Sequence, residues 1–154
     1  MGIIESRLVA LGIDLPEPSV PVAAYVPVVT VDNLAFTSGT GCRVNGKLMY
    51  EGQLGRELTA DQGRQAARQS AINTLAALQA HLGDLDRIER IVKLLGFVNS
   101  SPDFALQPYV IDGASELLMQ LFGESGQHAR SAVAAPVLPF HTPVSIEMIV
   151  RIRS

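Results

Sequence analysis

Four polar residues stand in surroundings that do not call for them: Tyr25, Ser38, Asp112 and Arg130. Arg130 follows a loop around Gly126 and sits among Ala129, Ser131 and Ala132. Small neighbours leave room around a guanidinium, which can then grip a carboxylate with two parallel hydrogen bonds. From spacing alone, an arginine paired with a nearby acid at the surface is the simpler reading. Cys42 lies beside Arg43. An adjacent cation favours a reactive thiolate, while a half-buried loop thiol is the plainer alternative. His81, His128 and His141 are far apart, with no pair at helix or strand spacing, so no metal site is expected. No Gly-x-Ser-x-Gly nucleophile turn occurs, and His81 is read as a favourable charge near a helix C-terminus.

Two stretches imitate phosphate loops and fail on inspection. Gly41 to Lys47 matches the first seven positions of a Walker A loop, but the hydroxyl that should hold Mg²⁺ is Leu48. Asn45-Gly46 is better read as a type I′ hairpin turn, which needs positive φ at both residues. Gly39-Thr40-Gly41 lacks the third glycine of a dinucleotide fingerprint, because position 44 is Val44. The opening Met1-Gly2-Ile3-Ile4-Glu5-Ser6 fits a myristoylation pattern. A short amphipathic helix from Ile4 to Leu11, stopped by Gly12, explains the same residues.

These residues need a scaffold, and 154 residues with 47% hydrophobic and 18% charged side chains suffice for one ordered domain without metal or disulfide. Twelve basic against 15 acidic residues leave a net charge of −3, which offers nucleic acid no electrostatic footprint. The single cysteine excludes an intrachain disulfide and suits a reducing compartment. The richest apolar run, Val20 to Val31, is broken by Pro21 and Pro27 and too short to cross a bilayer. A cytoplasmic protein with no membrane association is expected.

Periodicity outlines the elements. Tyr25 to Val31 and Leu34 to Thr40 read as paired strands around Asp32-Asn33, followed by the Asn45-Gly46 turn. Thr59 to Gly83 reads as a helix, with Thr59 and Gln62 forming a capping box. Its stripe is Ala67, Ala71, Leu75, Leu78 and Leu82. Ile88 to Val98 reads as a strand, and Ser101-Pro102-Asp103 as the opening of a helical turn. A second helix begins near Pro108, with Val110, Ile111, Ala114, Leu117, Leu118 and Leu121 inward, and ends at Gly123. Ser131 to Leu138, interrupted by Pro136, reads as an edge or bulged strand. In the last strand Val144, Ile146, Met148, Val150 and Ile152 alternate with Ser145, Glu147, Ile149, Arg151 and Arg153. The first set should pack on helices. The second set would be left bare by two helices on one face of a mixed sheet, so an oligomer should cover it. The class is α+β, in one domain over 1–154.

Thr37-Ser38-Gly39, Gly83-Asp84-Leu85-Asp86-Arg87-Ile88, Pro102-Asp103-Phe104, Ala129-Arg130-Ser131-Ala132-Val133, Leu138-Pro139 and Val144-Ser145-Ile146-Glu147 occur in this order. Together they resemble the YjgF/Rid family of imine deaminases, once labelled endoribonuclease L-PSP, over Val20 to Arg153. Residues 1–19 look like an N-terminal extension found in one branch. The resemblance implies a chorismate-mutase-like fold and a homotrimer, with three sheets closing a central β-barrel and pockets at the subunit seams. It implies hydrolysis of 2-imino or 2-enamino acids to 2-keto acids and ammonia, without a cofactor. Arg130 would bind the substrate carboxylate, and the backbone carbonyl of Ala132 would help place the attacking water. Tyr25, Ser38 and Gly39 would line the pocket. Asp112 stands where the family usually has Asn; a carboxylate there weakens anion binding unless it is protonated or paired. Deaminating members carry a water-holding glutamate two residues before the position of Glu147, and here that position is Ser145. A hydroxyl holds water but supplies no acid near neutral pH, and positioned acid–base help contributes about 10²–10⁴ in rate. Glu147 lies on the same face about 6–7 Å further along, and could substitute only through a second water or with a larger substrate.

The expectation is therefore a trimer that binds small 2-imino or 2-keto carboxylates, with weak or substrate-shifted deaminase activity of the 2-iminobutanoate/2-iminopropanoate type. A non-catalytic metabolite-binding or interaction protein of the same fold is the alternative. An endoribonuclease is disfavoured by the charge and by the lack of a basic aromatic patch.

Overall fold

The computed structural model describes residues 1–21 and 23–154; Val22, within the apolar run noted above, lies outside the described residues. The elements run α1 (Ile3–Ala10), β1 (Val28–Val31), β2 (Leu34–Thr37), β3 (Arg43–Val44), β4 (Lys47–Leu48), α2 (Ala60–Leu82), β5 (Ile88–Asn99), α3 (Gln107–Phe122), β6 (Ala129–Ala135) and β7 (Val144–Ile152). Five strands form one mixed sheet in the order β1-β2-β7-β5-β6, and β3 and β4 form a separate hairpin. Within this sheet β5 and β6 pair in parallel and the other neighbouring strands antiparallel. Their connection carries α3, the crossover that parallel pairing requires.

Local chemistry sets the helix ends. The Thr59 hydroxyl accepts from the Gln62 amide while the Gln62 side chain accepts from Thr59 N–H, closing the capping box of α2. Gly83 leaves α2 at φ 86°, where a side chain would clash. Asn45 and Gly46 take φ of 53° and 82°, as the type I′ turn demands. The α2 stripe and the six apolar residues of α3 are all buried, and so are the five alternating residues of β7. The helix-facing core is thus assembled from the two periodicities read along the chain.

Two glycines set how closely the layers approach. A Cβ on Gly113 would lie 2.1 Å from the Arg64 carbonyl oxygen of α2. A Cβ on Gly96 would lie 2.5 Å from Ile111 Cδ1, so α3 settles directly on β5. The short α1 is held at the far end of α3. The Asp86 carboxylate accepts from Ile3 and Ile4 N–H, each at 2.8 Å, Arg7 donates to the Leu121 carbonyl, and Ile4, Leu8 and Ile13 are buried. Gly2 touches that carboxylate: a Cβ there would sit 2.7 Å from Asp86 Oδ2. Its identity therefore has a packing reason, independent of any acyl group.

Several expected boundaries change. The first strand starts at Val28 rather than Tyr25, because Val26 and Pro27 are held by Ser38 instead of by a ladder. The second ends at Thr37, and Thr40 regains Ile146 as an isolated bridge. Ser101-Pro102-Asp103 forms a turn closed by Phe104 N–H to the Ser101 carbonyl, not a helical turn. The small-residue strand begins at Ala129 and stops before Pro136, which cannot donate to a ladder. It is an edge strand, as expected.

Among the described residues, no helix covers the opposite face of the sheet. Val29 and Phe36, paired across β1 and β2, are 48% and 39% exposed, and Val133 of β6 is 43% exposed. Ile149, Leu95 and Phe97 lie between them, half-buried. Among the described residues no helix is long and apolar enough to cross a membrane.

Candidate functional site

The expected site residues fall into two groups. Tyr25, Ser38, Gly39 and Ser145 line one cleft of about 260 Å³, with Arg43, Asn73, Phe140 and Thr142 among the other walls. Its geometry begins with a break in the ladder between β2 and β7. Ser38 N–H donates to the Pro27 carbonyl at 2.8 Å, and its hydroxyl donates to the Val26 carbonyl at 2.7 Å. This clamp brings the chain bearing Tyr25 against the sheet end. Gly39 passes so close to Ser145 that a Cβ would meet Ser145 Oγ at 2.9 Å, so a side chain there would push that hydroxyl from its present position. Thr40 and Ile146 then exchange two backbone hydrogen bonds and restore the pairing.

The α2 helix holds the β3 side of the cleft. Asn73, 8% exposed, donates through Nδ2 to the Gly41 and Arg43 carbonyls at 3.0 and 2.9 Å. It accepts in turn from Gln69. The fourth wall is the strap Pro139–His141. Phe140 and His141 both adopt left-handed backbone angles, φ 59° and 61°, each costing about 1–3 kcal/mol for a non-glycine residue. They are held by His141 N–H to Leu138, Thr142 N–H to Pro139 and Gly52 N–H to His141. The result places the Phe140 ring 5.2 Å from the Arg43 guanidinium carbon. Cys42 is fully buried with Sγ toward Tyr50 and Thr142, so neither a reactive thiol at the loop surface nor a half-buried one describes it.

Arg130 and Asp112 make the second group. Arg130 pairs with Leu94 of β5, whose side chain is buried toward the helices, so Arg130 points to the helix face. There Nη1 donates to Asp112 Oδ1 at 2.7 Å and to Ser115 Oγ at 3.1 Å. The Ser115 hydroxyl also meets His128 Nε2 at 2.9 Å. The surface-acid pairing read from the sequence is thus present, with the Arg130 side chain 23% exposed. Ala132 follows two residues on. Because Ala135 accepts from Ser100 N–H and backbone groups alternate sides along a strand, the Ala132 carbonyl faces outward from the free edge of β6. Glu147 lies on the open face of β7 opposite Leu95 and does not line the cleft.

The two groups are separated within the chain. Arg130 aligns with Met148 across β5, three residues before Ser145 is reached along β7. Two interstrand steps and three residues put the two Cα atoms about 14 Å apart, on opposite faces of the sheet. Sequence reading missed Arg43 as a cleft residue, as well as Asn73 and Phe140. The signal for Arg43 was its place two residues before the Asn45-Gly46 turn, which orients it from a hairpin rather than a loop. No group of three or more His, Cys, Asp or Glu capable of holding a metal occurs among the described residues.

Comparison with known proteins accords with this architecture. Protein TCP17 of Trypanosoma cruzi is 42% identical over 161 residues, covering 99% of this chain and 96% of that one. Protein Atu1372 of Agrobacterium tumefaciens, of unknown function, is 43% identical with a TM-score of 0.92, over 98% and 93% of the two chains. An endoribonuclease-labelled structure from Shewanella oneidensis MR-1 is 37% identical with a TM-score of 0.94, over 97% and 99%. The family model for YjgF/chorismate mutase-like endoribonucleases matches residues 5–151. With the mixed sheet, its two covering helices and the Ser38-Gly39 break all inside that span, the chain belongs to the YjgF/chorismate mutase-like family.

Proposed function

We propose that this protein binds small 2-keto or 2-imino carboxylates in pockets shared between copies of the chain, and hydrolyses imino acids weakly or with a shifted substrate. One observation carries this reading. The cleft holding Tyr25, Ser38, Gly39 and Ser145 and the strand holding Arg130 and Ala132 cannot meet within one chain, yet Ala132 presents its carbonyl outward from an exposed edge. A neighbouring copy whose β6 edge approaches the cleft would complete the site. The bare apolar face around Val29, Phe36, Val133 and Ile149 supplies the reason to associate. A closed homotrimer, its three sheets enclosing a central barrel, buries that face on every copy.

In this site Arg130, positioned by Asp112 and Ser115, holds the substrate carboxylate, while the Ser145 and Ser38 hydroxyls and the Ala132 carbonyl hold the water. Addition of water to the C=N carbon gives a tetrahedral carbinolamine, whose collapse releases ammonia and leaves the keto acid. Glu147 is the carboxylate available on that sheet face, one row beyond Ser145, and it exchanges the proton through an intervening water. The long relay and the hydroxyl at 145 account for a modest rate. The endoribonuclease label attached to the family is disfavoured for this chain by its net charge of −3, since RNA affinity depends on phosphate neutralisation.

The test uses the full chain. Light scattering after size exclusion should give a trimer, and calorimetry should give saturable binding of 2-oxobutyrate that Arg130→Gln abolishes. Keto-acid release from 2-iminobutanoate generated in situ should exceed the spontaneous rate and fall in Glu147→Gln. A monomer, or binding indifferent to Arg130, overturns the shared site. Binding without turnover leaves the metabolite-binding alternative.

A further inference from the structure

The cleft carries a cation whose charge the rest of the chain does not neutralise. Arg43 is absent from the three ion pairs among the described residues, which join Arg64 to Glu116, Arg130 to Asp112 and Arg151 to Glu89. Its side chain makes one hydrogen bond, from Nη1 to the Gly46 carbonyl at 3.1 Å, leaving other donors of the guanidinium unengaged. Among the described residues no acidic one lines the cleft; apart from Arg43 its polar side chains are neutral, the hydroxyls of Ser38, Thr142 and Ser145 and the amide of Asn73 among them. The guanidinium is also held in place. The Arg43 backbone carbonyl is tied to Asn73, and its guanidinium carbon lies over the ring of Phe140, which the left-handed strap positions at a cost in backbone strain. A cation–π contact of this kind holds an arginine without cancelling its charge. Phe140, the residue against the cation, is one of the two strained residues of the strap, and strain held beside a cleft is a pattern found at ligand contacts.

We infer that Arg43 receives a second acidic group of the ligand, so that the substrate class is a 2-keto or 2-imino acid bearing a further carboxylate at its far end. This rests on the proposed function, in which Arg130 of a neighbouring copy takes the carboxylate next to the reacting carbon. A substrate with an alkyl tail would instead leave the guanidinium facing apolar atoms and stripped of water, which is unfavourable.

The experiment compares calorimetric affinities of 2-oxoglutarate and 2-oxobutyrate for the full chain, Arg43→Gln and Arg43→Lys, with thermal melts establishing that each variant is folded. The expected result is at least a tenfold preference for 2-oxoglutarate in the unaltered protein. Arg43→Gln should bring the ratio close to one, and Arg43→Lys should restore part of it. Equal affinity for the two acids in the unaltered protein, with both binding, overturns the inference and leaves the proposed function standing. Equal losses for both acids in Arg43→Gln also overturn it, because Arg43 would then hold the carboxylate common to both. Binding of neither acid overturns the inference together with the reading beneath it.

Discussion

Replacing Asp112 with Asn separates two effects that the Arg130 pair combines. The carboxylate orients the guanidinium at 2.7 Å, and it also places a negative charge beside a site proposed for anions. The stability effect should be small. The two side chains are 23% and 41% exposed, and partly exposed ion pairs contribute about 1 kcal/mol or less. Asn keeps an oxygen that accepts from Nη1, so the orientation survives. The binding effect should be larger and of opposite sign. A ligand carboxylate on the far side of the guanidinium would lie about 6 Å from the Asp112 carboxylate, where like charges repel by about 0.7 kcal/mol at the dielectric of water and about 2.8 kcal/mol at an effective value of 20. A middle figure of about 1.4 kcal/mol is a tenfold change in affinity. Calorimetry with 2-oxobutyrate at low ionic strength should therefore show Asp112→Asn binding about tenfold more tightly, with the gap narrowing as salt is raised. Affinity equal to or weaker than that of the unaltered chain would refute the reasoning. It would mean either that the ligand carboxylate does not reach Arg130 or that a charged Asp112 is needed to hold the arginine.

Three further perturbations probe the scaffold. Gly113→Ala should destabilise the fold by about 1–3 kcal/mol through overpacking, despite a helix-propensity gain of about 1 kcal/mol, because its Cβ would press on the Arg64 carbonyl; a lowered melting temperature checks it. Asp86→Asn should release α1. Hydrogen bonds from Ile4 and then Ile3 N–H hold the Asp86 carboxyl below its ordinary range, so its contribution is complete above about pH 4 and disappears as pH falls through the lower folded value. Amide exchange at residues 3–10 should rise in the variant at neutral pH, and in the unaltered chain only under strong acid. Phe36→Asp puts a charge on the bare sheet face and should shift the proposed trimer to monomer in light scattering, with the helical circular dichroism signal retained.

Much of the scaffold was legible because its causes are local. The capping box at Thr59, the four-four-three-four stripe of α2, the Asn45-Gly46 turn and the alternation of Val144 to Ile152 depend on residues within a few positions of one another. They fixed helix ends, buried faces and the prediction of a bare sheet face without knowledge of what packs against what. The ordered motifs around Ser38-Gly39 and Arg130 were sufficient for the family. Strand ends were less legible, since Tyr25 has β-forming character but loses its ladder to a clamp made by Ser38, 13 positions away in the chain.

What the tertiary structure alone decided is the company each polar residue keeps. Arg130 meets Asp112 because β6 registers Arg130 against Leu94 and α3 lies over that row; a shift of one residue would send the guanidinium to the opposite face. Arg43 reached the cleft because Asn73, on a helix 30 residues later, ties down its carbonyl and because Phe140, nearly a hundred residues away, stacks on it. Side-chain type and short-range period determine which way a residue faces within its own element. Which partner waits there depends on register, strand order and helix placement, and these follow from burying the whole core at once.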